Sequence, residues 1–228
     1  MICLVTDRRR LVGPDGASAA GSGAWQACLV AQVRHAVDAG VDLIHVRERD
    51  LEAGALAALV VELLAVAAHT STRIVVNDRL DVALACGAGG VHLRGDSIPV
   101  GAARQLAPAG FLIGRSVHSV EEAIAAEGAD YLIAGTVFRS ASKAAETPLL
   151  GIDGLKAIVR AVDRPVLAIG GVTNDRIGEI AAAGAAGFAA IGLFMADRAG
   201  AEGGCRAAEL RQTVKHGRAR FDRLNTTP

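Results

Sequence analysis

Phe111-Leu112-Ile113-Gly114-Arg115-Ser116-Val117-His118-Ser119-Val120-Glu121-Glu122-Ala123-Ile124 is the stretch that decides the fold. Phe111–Ile113 reads as a short strand covered on both faces. Val120–Ala126 reads as a helix, with Ser119 at its N-cap and Glu122 at the capping-box spacing. Between them, Ser116 and His118 fall in the turn that leaves the strand's C-terminal end. In parallel α/β proteins that end carries the chemistry. By position alone, His118 reads equally well as an ordinary polar loop residue.

The same strand-then-helix unit recurs outward in both directions. Upstream, strands are expected at Ile2–Thr6, Val41–Arg47, Arg73–Asn77 and Gly90–Leu93. Their helices are Trp25–Asp38, Leu51–Ala68, Leu80–Ala85 and Pro99–Leu106. Downstream, strands Asp130–Ala134, Pro165–Ile169 and Gly187–Ile191 are followed by helices Ile152–Ala161, Asn174–Ala183 and Glu202–Val214. Strands alternating with helices imply a parallel sheet with right-handed crossovers. Eight such units in 228 residues close as a single (β/α)8 TIM barrel. An open doubly wound sheet would carry a glycine-rich first turn, whereas Thr6-Asp7-Arg8-Arg9-Arg10 follows the first strand. Residues 1–200 are assigned to the barrel and 201–228 to the last helix and a polar, basic tail of the same domain. Lys215–Pro228 is expected to be a frayed end, and Leu11–Gly23, rich in Gly, Ala and Ser, a flexible loop.

Composition narrows the function. The chain is 51% hydrophobic but 3% aromatic, so its core is aliphatic; 24 basic and 24 acidic residues cancel. A zero net charge removes the bulk electrostatic case for nucleic acid. Four scattered cysteines without a C-x-x-C pair suit a reducing compartment better than a disulfide framework. No leader is expected, and no apolar run reaches the ~20 residues of a membrane span. The expected location is the cytoplasm, with no membrane partner.

A barrel should gather polar residues just after its strands, and this chain does. Arg47 and Arg49 follow the second strand, Asn77 and Asp78 the third, Ser116 and His118 the fifth. Arg47 is expected to point inward and Arg49 to reach round the loop. Gly170-Gly171-Val172-Thr173 joins a strand to a helix, and Ile191-Gly192 ends the neighbouring strand. Glycines there let backbone N–H groups approach an anion, so Gly170, Gly171, Ile191 and Gly192 read as a phosphate site. The long connection from Gly135 to Gly151 carries Ser140, Ser142 and Lys143, suited to a second phosphate or a lid. Asp78 is the metal candidate, with Asp96 as a second carboxylate. It reads equally well as a cap for the short helix that follows.

The ordered set Arg47-Glu48-Arg49, Asn77-Asp78-Arg79, Val91-His92-Leu93, Ser116-Val117-His118-Ser119, Ala129-Asp130-Tyr131, Ser140-x-Ser142-Lys143 and Ala168-Ile169-Gly170-Gly171 resembles the thiamine phosphate synthase superfamily. The resemblance runs from Ile2 to Met195 and is specific as a set. It implies a barrel with two branches. Thiamine phosphate synthase joins hydroxymethylpyrimidine pyrophosphate to a thiazole phosphate with Mg²⁺. The TenI-type tautomerase aromatises a carboxythiazole phosphate without a metal.

The branch markers are mixed. His45 stands where the synthase pattern has Gln, Ser97 where it has the second Mg²⁺ aspartate, and Arg94 where it has glycine. Gly114–Ala123 is very similar to the tautomerase, whereas Asp78 and Ser140–Lys143 look like the synthase. Losing a carboxylate weakens a Mg²⁺–pyrophosphate site, so the resemblance favours the cofactor-free tautomerase. There His118 moves the proton with Ser116 beside it, Arg47 pairs with the substrate carboxylate, and the Gly171 and Gly192 amides hold its phosphate. Histidine suits proton transfer near neutral pH. The alternative is the synthase, with Asp78 on Mg²⁺ and Arg47, Arg49, Asn77, Ser140, Ser142 and Lys143 around the pyrophosphate. A third reading is a non-catalytic phosphometabolite-binding regulator. The expected partner is a small phosphorylated thiazole; a homodimer is left open.

Overall fold

The computed structural model describes residues 1–11, 24–139, 148–195 and 205–225. Eight parallel strands pair in chain order and close: β1 (Ile2–Val5), β2 (Leu43–Val46), β3 (Arg73–Asn77), β4 (Gly90–Leu93), β5 (Leu112–Val117), β6 (Tyr131–Gly135), β7 (Val166–Ile169) and β8 (Gly187–Ala190). Closure is made by β1 against β8, with Cys3 opposite Ala189. Each strand is followed by its helix: α1 (Ala24–Asp38), α2 (Ala53–Ala67), α3 (Leu80–Ala85), α4 (Val100–Leu106), α5 (Val120–Ala125), α6 (Gly151–Ala161), α7 (Ile177–Ala182) and α8 (Cys205–Asn225). This is the expected (β/α)8 barrel. No helix among the described residues is long and apolar enough to cross a membrane.

Strand side chains alternate between two apolar layers. Ile2, Leu4, Ile44, Ile74, Val91, Leu132, Ala168 and Phe188 face the helices. Cys3, Val5, Leu43, Val75, Tyr131, Ile133, Leu167 and Ala189 fill the barrel interior. Counting by twos along each strand therefore tells which residues look into the barrel. Burial of Cys3 in that interior pushes its thiol up to about 12, so it is packing rather than a nucleophile.

Three expectations need correcting. Strand β5 does not stop at Ile113 but pairs with β6 through Arg115, Ser116 and Val117. Ser116 is therefore a strand residue, fixed by the ladder, and not part of a turn. The helix expected over Asn174–Ala183 is a 3-10 turn, Asn174–Arg176, followed by α7. Residues 215–225 do not fray; they continue α8. The reason is packing beneath the basic surface. Gly217 lies close against Ile2 and Phe188, the Phe221 ring is 6.2 Å from that of Phe188, and Arg218 donates to Asp42 at 3.1 Å. The loop at 12–23, the helix start at Glu202, and Ser140, Ser142 and Lys143 lie outside the described residues.

The ends of β1 and β2 are locked by a buried ion pair. Arg8 is 5% exposed and Glu48 4%. The Arg8 backbone N–H and its Nη1 both donate to the Glu48 carboxylate at 3.1 Å, and the guanidinium forks onto Asp50 with two bonds of 2.7 Å. Arg8 holds the Asp50 carboxyl down at about 2. Anchoring Glu48 to Arg8 decides where its neighbours go. Arg47 follows Leu43 and His45 on the interior-facing count, and Arg49 is exposed. Removing one partner of such a pair strands a buried charge. Arg8→Ala should therefore cost about 3 kcal/mol of unfolding free energy, read from the urea midpoint; a cost below about 1 kcal/mol would show that the pair does not hold the two strand ends together.

Candidate active site

The site is built around a missing side chain. In the sheet, Gly114 on β5 stands opposite His92 on β4 and Tyr131 on β6. A Cβ on Gly114 would fall 2.2 Å from Tyr131 Cζ and 2.5 Å from His92 Nδ1. Through that gap the Tyr131 hydroxyl meets His92 Nδ1 at 3.2 Å, and His92 Nε2 meets Ser116 Oγ at 2.8 Å. Tyr131 is fully buried and its burial raises its pKa well above the usual phenol value, so it keeps its proton. Donating that proton to His92 Nδ1 satisfies the buried hydroxyl. Nε2–H then donates to Ser116 Oγ, which leaves the Ser116 hydroxyl hydrogen free to point toward the barrel mouth.

A second histidine adjoins the first. The His45 ring centroid is 4.6 Å from that of His92, and its Nε2 is 3.1 Å from Asn77 Oδ1. Burial pulls the His45 pKa down to about 4, with the Asn77 contact opposing and the Arg47 charge adding to it. Burial, then His45 and Arg115, push His92 well below its ordinary value. Both rings are therefore neutral in the fold. They position Asn77 at the end of β3 and Ser116 on β5.

Above this layer the charge is positive. The half-buried Arg47 is held below its ordinary pKa by burial first and then by the charge of Arg49, with Arg94 adding and Asp7 and Glu48 offsetting. An arginine stays protonated regardless, so Arg47, Arg49 and Arg94 form a cationic arc after β2 and β4. No ion pair joins Arg47 or Arg49 to a carboxylate among the described residues.

His118 sits two residues beyond Ser116 at the mouth and is exposed. Its ring nitrogen Nδ1 bonds the Gly135 carbonyl at the end of β6, and its backbone N–H donates to Glu122 Oε2 at 2.7 Å. Ser119 caps the helix as expected, accepting from the Glu122 N–H at 3.2 Å, while the Glu122 carboxylate reaches one residue further back, to His118, rather than to the Ser119 N–H. The carbonyl can only accept, so Nδ1 carries the proton. In the neutral ring Nε2 is then a free acceptor, held in one orientation.

Across the mouth, Gly170 and Gly171 follow β7 with φ of 101° and 61°, backbone that only glycine adopts without strain. A Cβ on Gly171 would fall 2.4 Å from the Arg139 carbonyl. Ile191 and Gly192 follow the adjacent β8, and Arg10 lies beside them: a Cβ on Gly192 would come within 3.3 Å of its guanidinium. Arg176 braces the turn, donating to the Gly171 carbonyl at 2.8 Å with its guanidinium 4.6 Å above the Phe138 ring. The two expected glycine segments thus come together at the ends of adjacent strands, and an arginine that sequence reasoning did not assign lies beside Gly192.

Asp78 does not cap α3, whose N-cap is Arg79 with no side-chain bond. It holds a left-handed φ of 62°, and its Oδ2 is 2.6 Å from Arg94 Nε while its Oδ1 accepts from the Arg94 backbone N–H at 3.2 Å. Asp96, the other carboxylate candidate, accepts from Nη2 of the same guanidinium at 3.1 Å. Among the described residues no three His, Cys, Asp or Glu side chains gather in one cluster. The residues present do not fit a divalent cation: an arginine already fills the space between the two carboxylates.

Of the residues singled out beforehand, Arg47, Arg49, Asn77, Asp78, Ser116 and His118 are brought to one rim, and Gly170, Gly171, Ile191 and Gly192 to the other. Arg8, Arg10, Tyr131 and the Arg94 contact were missed. The inward count would have found Tyr131, because Gly114 opposite it marks a close approach.

Comparison with known proteins bears on the family. The sequence model of the family described as thiamine monophosphate synthase matches residues 19–194. A thiamine-phosphate synthase of Methanoregula boonei is 47% identical over 160 residues, 69% of this chain and 74% of that protein. A putative thiamine-phosphate synthase of Geobacter sulfurreducens is 39% identical over 196 residues, 85% of this chain and 86% of the other. Among solved structures, a thiamine phosphate pyrophosphorylase from Pyrococcus furiosus superposes with a TM-score of 0.75 at 30% identity, covering 98% of this chain and 96% of its own.

The buried histidine pair has a measurable signature. In the unfolded chain each histidine takes a proton near 6.5, whereas in the fold both stay neutral, His45 down to about 4. Below pH 6.5 the unfolded state binds more protons, so stability falls as pH drops toward 4. The slope should approach about 1.4 kcal/mol per pH unit for each histidine. Urea unfolding between roughly pH 7 and 5 checks this, and a flat profile would contradict burial of both rings.

Proposed function

This chain belongs to the thiamine monophosphate synthase family and is an enzyme of thiamine biosynthesis; from that premise we propose that it joins a pyrimidine diphosphate to a thiazole phosphate. The observation that carries the reading is the presence of two anion-receiving rims on opposite sides of one mouth. The glycine turns with Arg10 suit a phosphate monoester, which takes backbone N–H donors. The arc of Arg47, Arg49 and Arg94 suits a diphosphate, whose several charges ask for several cations. The names of the relatives support the same chemistry.

In this reading the thiazole nitrogen lone pair forms a bond to the pyrimidine methylene carbon. The carbon–oxygen bond to diphosphate breaks, and its electron pair leaves with the diphosphate. Arg47 and Arg49 stabilise the charge that builds on the leaving group, which is where fixed positive charge lowers a barrier most. Asn77 and Ser116, steadied by the neutral histidines beneath them, line the place where the pyrimidine ring would lie. The two glycine turns hold the thiazole by its phosphate and so align its nitrogen.

A second reading is favoured by His118. Its ring is clamped through Nδ1 and offers a free Nε2 at the mouth, the arrangement a proton shuttle needs. In that reading the substrate is a carboxythiazole phosphate, Arg47 pairs with its carboxylate, and His118 moves a proton between ring atoms to give the aromatic isomer.

One pair of assays separates them. Given pyrimidine diphosphate and thiazole phosphate, the purified protein should release thiamine phosphate and diphosphate in equal amounts, and Arg47→Ala should lower kcat/KM by roughly 10²-fold. Given the carboxythiazole phosphate alone, it should form little product. Rapid isomerisation that His118→Ala slows by roughly 10²-fold, without coupling in the first assay, would replace the first reading with the second.

A further inference from the structure

We propose that Arg94 replaces a divalent cation: its guanidinium is the resident counter-charge of Asp78 and Asp96, and the chain takes diphosphate directly onto arginine without a metal. The proposal deepens the coupling reading and rests on it for the identity of the anion. It stands on the placement of one side chain. Arg94 Nε is 2.6 Å from Asp78 Oδ2 and Nη2 is 3.1 Å from Asp96 Oδ2, so both carboxylates face the same guanidinium. Asp78 cannot turn away, because its other oxygen accepts from the Arg94 backbone N–H. The Arg94 loop is itself held. Arg115 donates to the carbonyls of Gly95 and Ile98 at 2.8 Å each, and the Ser97 N–H closes a turn onto the Arg94 carbonyl.

A divalent ion between two carboxylates and a diphosphate supplies charge and fixed direction. The guanidinium supplies direction of the same kind, since its planar fork meets carboxylate and phosphate oxygens alike. Nη2 is spent on a hydrogen bond to Asp96, and Nε lies against Asp78 as a close charge contact. Nη1 has no partner among the described residues and is left for an anion. The site's surplus positive charge lies next to it, on Arg47 and Arg49. Asp78 and Asp96 thereby change role, from ligands of an ion to the groups that aim an arginine.

The test uses the intact chain with Mn²⁺ as a spectroscopic metal probe and inorganic diphosphate as the anion. Wild-type protein should bind diphosphate in EDTA and show no Mn²⁺ site below millimolar concentration. Arg94→Gly should bind Mn²⁺ at least tenfold more tightly than wild type and diphosphate in EDTA at least tenfold more weakly, with Mg²⁺ restoring the latter. Arg94→Lys, which keeps the charge, should still exclude Mn²⁺, and circular dichroism confirms that each variant is folded. Tight Mn²⁺ binding by the wild type that Asp78→Asn abolishes would overturn the proposal, as would diphosphate binding that requires Mg²⁺. If diphosphate binds under no condition while Arg94→Gly still gains Mn²⁺, the coupling reading falls and Arg94 stands as the cation of Asp78.

Discussion

No side chain can stand at Gly114, and the upper interior of the barrel is arranged around that gap. His92 and Tyr131 reach across it from the strands on either side, which no β-carbon would allow. Their contact fixes the His92 ring, the ring fixes Ser116, and the adjoining His45 ring fixes Asn77. The layer is polar yet buried, so it persists only because nearly every group in it has a partner. Burial also keeps both histidines neutral. A charged pair of rings at this distance would repel, and would repel Arg47 above them.

On this platform the mouth is divided by chemistry. The side after β2 and β4 offers arginine; the side after β7 and β8 offers backbone turned outward by glycine. The first recognises charge and the second recognises the size and geometry of a phosphate. Parallel closure makes the division possible, since it brings the ends of all eight strands to one face. His118 bridges the two sides, its backbone held by the α5 cap and its ring by the carbonyl that ends β6.

The barrel was legible because its signals are local. Arg73–Asn77, Leu80–Ala85 and Gly90–Leu93 were read to the residue, each bounded by a glycine or a change of period. Beyond Ile113 the reading failed. The polar run Arg115-Ser116 gives no strand signal of its own; pairing with β6 makes it a strand. The basic run after Val214 failed for the opposite reason. Its charge pattern suggested solvent, while Gly217 and Phe221, spaced four residues apart, pack onto the barrel.

From its residues alone the chain determined the eight-unit order, the face on which polar groups collect, and the glycine turns, because periodicity and turn chemistry act over a few neighbours. Which charges meet was decided only in three dimensions. Arg8 finds Glu48 across forty positions, and Arg94 finds Asp78 across sixteen. Read along the chain, Asp78 is a metal ligand or a helix cap with equal ease. In the folded barrel it caps no helix, and the loop after β4 lays the Arg94 guanidinium against it. Such a contact depends on register and closure, which no local stretch of sequence carries.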